Sequence, residues 1–135
     1  MAQNTFFPYR CNEVVTGLGV GDPPGECSKQ ADALYSHLPQ LKNKRVLLFL
    51  GRFHPKKGVD LLINSFLKNC GKDDILLLGG PTNNSDSHLK NLRKLTVGNE
   101  NKILWAGMLE GDLKWGALRI ADALILPSHQ ENFGM

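Results

Sequence analysis

Val46-Leu47-Leu48-Phe49-Leu50-Gly51-Arg52-Phe53-His54-Pro55-Lys56-Lys57-Gly58 joins an unbroken apolar run to a polar loop framed by glycines and a proline. A continuous apolar run, rather than an alternating one, reads as a strand covered on both faces, the habit of parallel sheets. Three further runs repeat the pattern: Ile75-Leu76-Leu77-Leu78, Ile103-Leu104-Trp105 and Ala123-Leu124-Ile125-Leu126. Helical periodicity fills the gaps. Val59, Leu62, Ile63, Phe66 and Cys70 share one stripe at spacings of three and four. Leu89, Leu92 and Leu95 mark a second helix, capped by Ser85 or Asp86, and Leu113, Ala117 and Ile120 a third. Strand and helix alternate, so the expected fold is α/β, a Rossmann-like parallel sheet with helices on both faces.

Upstream, Ala31, Leu34, Tyr35 and Leu38 give another helical stripe, closed before Pro39. Val14-Val15 reads as a short strand, and Gly21-Asp22-Pro23-Pro24-Gly25 as a turn or linker. The expected division is an entry segment with a strand and a first helix over 1–40, followed by the sheet domain over 41–135. At 135 residues the chain is long enough for one core. Its 41% apolar and 21% charged residues are ordinary globular values.

A net charge of +3, with no basic stripe, argues against nucleic acid as a partner. Cys11, Cys27 and Cys70 have no metal spacing and read as free thiols. His37, His54, His88 and His129 share no ligand spacing, so no metal site is expected, and His54 and His129 read as surface imidazoles. No apolar stretch reaches the ~20 residues that span a bilayer. The N-terminus lacks the pattern of a signal peptide, which makes the cytoplasm the default location. Trp105 reads as core. Phe53 and Phe133 read as packing that shapes loops.

Loops that leave the carboxyl ends of parallel strands open on one edge, where such sheets bind ligands. In the first, Arg52 at the strand exit and Lys57 at the helix start are placed to clamp a diphosphate, with a planar fork and a point charge respectively. In the second, Gly79 and Gly80 either admit a ligand to the backbone or serve as turn chemistry. The third begins at Pro127-Ser128-His129-Gln130. There Glu131 can accept hydrogen bonds from sugar hydroxyls, and Gly134 offers an amide where a following helix would favour an anion. That helix is not in the sequence, so the chain reads as a fragment cut within its own site. One sheet face is then left poorly covered, which favours a homodimer.

Gly51-Arg52 with Lys57-Gly58, then Gly79-Gly80, then Pro127-Ser128-x-x-Glu131-x-Phe133-Gly134 together resemble the C-terminal half of family 4 (group 1) glycosyltransferases of the GT-B fold. The likeness runs from about Val46 to Met135. Gly17-Leu18-Gly19-Val20-Gly21-Asp22 is similar to a divergent form of the segment entering that half, often Asn-Gly-Val-Asp in the family. The resemblance implies a transferase, typically retaining, that moves a sugar from a nucleotide-diphosphate donor to an acceptor. It implies catalytic roles for Arg52, Lys57 and Glu131. Donor contacts follow from Gly51, Gly79, Gly80, Gly107, Met108, Phe133 and Gly134, with Gly107 and Met108 beside the base. The donor is a substrate, and no separate cofactor is implied. The second glutamate of the family's pair falls past Met135, and the acceptor-binding domain is absent, so this chain alone is expected to be inactive. A sugar-nucleotide epimerase, or a non-catalytic nucleotide-sugar module, are the alternatives.

Overall fold

A computed structural model of the chain describes residues 19, 21–83 and 85–130. Among these residues four parallel strands form one sheet: β1 (Arg45–Leu50), β2 (Asp74–Gly79), β3 (Ile103–Gly107) and β4 (Ala123–Leu124), in the order β3-β2-β1-β4. Among the described residues four α-helices accompany them: α1 (Cys27–His37), α2 (Val59–Asn69), α3 (Ser87–Leu95) and α4 (Gly111–Ile120). This is the α/β, Rossmann-like architecture expected from the alternation of runs and stripes.

Side chains alternate across each strand, and the two resulting faces have different covers. Phe49, Leu76, Leu78 and Ile103 pack beneath α2 and α3, against Val59, Leu62, Ile63, Phe66, Leu89 and Leu92. Val46, Leu48, Ile75 and Leu77 pack on the other face with Leu34 of α1, Leu41, Leu109 and Ala117 of α4. Burial on both faces explains why Val46–Leu50 of β1 and Ile75–Leu78 of β2 are apolar at every position rather than at alternate ones. The close approach of α1 to α4 depends on Gly116, where a Cβ would run into the carbonyl oxygen of Gln30.

Three expectations need correction. The fourth apolar run forms a strand only over Ala123–Leu124, not to Leu126. Its register partners are Leu47 and Leu48 of β1, and Ile125 adds one backbone bond to Leu48 O at 2.8 Å. Beyond β4 no described strand continues the sheet, so Leu124 and Leu126 remain 49% and 45% exposed. Leu95 is exposed as well. Two steps of three residues carry it about 120° around the helix from Leu89, off the buried stripe. Trp105 is only half-buried, because β3 is an edge strand: Phe53 packs against the ring at 5.0 Å and the Arg93 guanidinium lies over it at 5.1 Å.

Asp86 is the cap of α3, accepting from the N–H groups of His88 and Leu89, which settles the choice between it and Ser85. Cys27 and Cys70 are free thiols. Val14-Val15 and Cys11 lie outside the described residues. Among the described residues no helix is long and apolar enough to cross a membrane.

The amino rim of the sheet is pinned electrostatically. Arg45 donates from Nε and one terminal nitrogen to the two oxygens of Asp74, both at 2.7 Å, and Gly71 N–H donates to the same carboxylate at 2.7 Å. The Arg45 hydrogen bonds first, and the Gly71 amide second, hold the Asp74 carboxyl below its ordinary range. The folded form therefore binds a proton less readily than the unfolded chain. Its contribution is complete above the unfolded value of about 3.9 and is lost as pH falls through the lower folded value. Urea unfolding of wild type and Asp74→Asn should show a stability gap at neutral pH that narrows in acid. A gap constant across that window would contradict the assignment.

Candidate functional site

The sheet order reverses its sense at β1: the chain steps outward through β2 to β3, then returns to place β4 on the other side of β1. The carboxyl ends of β1 and β4 thus border the crevice where open α/β sheets take ligands. Arg52 and Lys57 belong to the loop after β1, and Pro127 to Gln130 to the segment after β4. These two loops meet. The N–H of His129 donates to Lys56 O at 2.9 Å. Gly58 abuts Pro127, and a Cβ on Gly58 would strike the Pro127 carbonyl oxygen. Gly58 also has φ +62°, a left-handed conformation that only glycine adopts at little cost. Glycine is therefore demanded twice here, by backbone and by contact.

The loop after β1 is built on an aromatic footing. Phe53 is buried, with ring centroids 5.9 Å from Phe49 and 5.0 Å from Trp105. This is the packing role read for it in the sequence. With Phe53 anchored inward, Arg52 stands exposed at the rim, and Lys57 sits half-buried at the end of a 3-10 turn, Pro55–Lys57. The imidazoles of His54 and His129 are exposed, as read. A shallow hollow of about 400 Å³ lies beside the same loop, lined by Pro55, Lys56, Asp60, His88 and His129.

Gly51, Gly79, Gly80 and Gly107 form the neighbouring stretch of the rim. Gly51 N–H donates to Gly79 O at 2.9 Å, and Gly80 N–H to Gly107 O at 2.7 Å. On one side the space at the glycine pair is filled by the chain itself. A Cβ on Gly79 would come within 2.9 Å of Leu50 Cδ1 and 3.0 Å of Leu109 Cδ1. A Cβ on Gly80 would collide with Gly51 O. Turn and packing chemistry thus accounts for the pair on that side. Met108, 60% exposed, projects from the segment after β3.

Arg52, Lys57, Gly51, Gly79, Gly80, Gly107 and Met108 therefore share one rim. Glu131, Phe133 and Gly134 lie outside the described residues, directly after the Pro127–Gln130 segment that meets the first loop. Sequence reading missed two parts of the arrangement. The Pro127 carbonyl and the His129 amide act through the backbone, which residue identity does not announce. Among the described residues, no group of three or more His, Cys, Asp or Glu is placed to hold a metal ion.

The family described as glycosyl transferases, group 1, matches residues 35–135. The chain belongs to this family. Among curated relatives, a D-inositol 3-phosphate glycosyltransferase of Acidothermus cellulolyticus is 27% identical over 99 residues, covering 67% of this chain and 22% of that protein. A protein of the same description from Kineococcus radiotolerans is 29% identical over 99 residues, covering 67% of this chain and 23% of its own length. An uncharacterised glycosyltransferase of Methanocaldococcus jannaschii is 26% identical over 93 residues, covering 69% of this chain and 24% of its own. The chain spans less than a quarter of the length of these relatives.

Proposed function

We propose that this chain is the donor-binding part of a group 1 glycosyltransferase, corresponding to the C-terminal half of the GT-B fold, and that its carboxyl rim holds a nucleotide-diphosphate sugar. The observation that carries this reading is the meeting of two loops distant in sequence. Lys56 O accepts the His129 amide at 2.9 Å, which brings the Arg52/Lys57 loop against the segment leading to Glu131. Membership of the group 1 family supports the same reading.

The chemistry follows from charge. When the bond between sugar and diphosphate breaks, negative charge grows on the leaving phosphate. Arg52 and Lys57 oppose that charge at fixed positions, which is electrostatic stabilisation of the leaving group. Glu131 accepts hydroxyls of the transferred sugar, and Gly134 offers its amide to sugar or phosphate. Phe133 shapes that loop. Gly51, Gly79 and Gly80 let the backbone approach the donor on the rim's open side, and Gly107 and Met108 border the base. Transfer is retaining on this reading, and the chain alone binds donor without completing it.

Isothermal titration with UDP, GDP and ADP tests the proposal. Saturable one-to-one binding of at least one of them is expected. Heats indistinguishable from dilution for all three would remove it.

A further inference from the structure

We infer that His54 is a positioning residue for the diphosphate site, acting through the backbone of the turn that carries Lys57; the inference rests on the donor-binding reading above. Of the two residues between Arg52 and Pro55, Phe53 anchors the loop inward and His54 holds the turn in shape. His54 Nδ1 accepts the N–H of Lys56 at 3.2 Å. His54 O accepts the N–H of Lys57 at 2.8 Å, and His54 N–H donates to Arg52 O at 2.9 Å. From the other side, His129 N–H donates to Lys56 O at 2.9 Å. Both polar backbone groups of Lys56 are thus occupied, one by the His54 ring and one by the loop after β4. Lys57 is the next residue along, its own N–H held by His54 O.

The ring is exposed and buries little apolar surface. Its contribution is to supply an acceptor, as Asn, Asp, Ser or Thr would at a helix cap. With Nδ1 accepting, the neutral ring carries its proton on Nε2. His54 touches neither sugar nor phosphate in this account. It stops the turn from unwinding and the lysine from wandering.

The test uses whichever of UDP, GDP and ADP the wild-type chain binds most tightly. Loss of a cap acceptor predicts that His54→Ala weakens binding by about fivefold. His54→Asn, whose side-chain oxygen reaches the N–H two residues on, should restore it. In a Lys57→Ala background, His54→Ala should have no further effect, because its action passes through Lys57. Wild-type affinity in His54→Ala, failure of His54→Asn to restore it, or an undiminished effect without Lys57 would each overturn the inference. Arg52→Ala and Lys57→Ala are measured alongside. If both of those bind normally, the donor-site reading itself has failed; if they bind weakly while His54→Ala does not, only the role of His54 has.

Discussion

Replacing Arg52 or Lys57 with alanine is expected to weaken nucleoside-diphosphate binding by at least about tenfold each. A hydrogen bond to a charged group contributes roughly 1.5–3 kcal/mol, which corresponds to about one to two orders of magnitude in affinity. Arg52 stands exposed at the exit of β1, so its share is the more screened by salt. Lys57 is half-buried at the start of α2, beside the loop after β4, and its share should persist at higher ionic strength. The two substitutions act on one ligand, so their effects need not add. Lys56→Ala is the informative control. Its side chain is exposed and carries the same charge, one residue away, while alanine retains the backbone groups that bind His54 and His129. If net positive charge alone drew the diphosphate, Lys56→Ala would match Lys57→Ala. The account requires Lys56→Ala to bind nearly as wild type does.

The second large effect falls on stability. Gly80→Ala places a methyl group against the carbonyl oxygen of Gly51. The obstacle is backbone, and that backbone is held by the hydrogen bond from Gly51 N–H to Gly79 O. A flexible side chain could turn aside; this carbonyl moves only with the backbone of the loop after β1. Overpacking of a rigid site costs about 1–3 kcal/mol and sometimes more, and the upper end applies here. For a chain of this size that corresponds to a fall of about 10 °C in melting temperature. Gly79→Ala is the comparison. Its Cβ would meet the tips of Leu50 and Leu109 at 2.9 and 3.0 Å, which can rotate away. Thermal unfolding should therefore rank Gly80→Ala as clearly less stable than Gly79→Ala. Equal melting temperatures would mean that the two strand ends are looser than described.

Much of this was legible in the sequence, and the remainder was hidden for identifiable reasons. The runs at Val46 and Ile75 gave β1 and β2 because strands buried on both faces have no room for polar residues. The stripe from Val59 to Phe66 gave α2 because its burial follows helical period without exception. At the sheet edges the same logic weakened. The run at Ala123 overstated β4, which among the described residues has a neighbour on one side only. Leu95 was misplaced because three-residue steps drift off a stripe. At the site, cation positions could be read directly, as side-chain chemistry is written in residue names. That the loop after β4 lies against the loop after β1 depends on strand order, a non-local property. That Gly80 faces a carbonyl and His54 caps a turn depends on backbone direction. Leu124 and Leu126 leave exposed apolar surface at and just after β4.

On the proposed reading, the carboxyl rim of this sheet binds the diphosphate of a nucleotide sugar. Amide chemical shifts followed during titration with UDP, GDP and ADP test it residue by residue. Shifts are expected to concentrate at Gly51, Arg52, Lys57, Gly58, Gly80 and Met108, with Arg45 and Asp74 on the opposite rim unmoved. Shifts centred on the Arg45–Asp74 rim, or none from any of the three nucleotides, would contradict it.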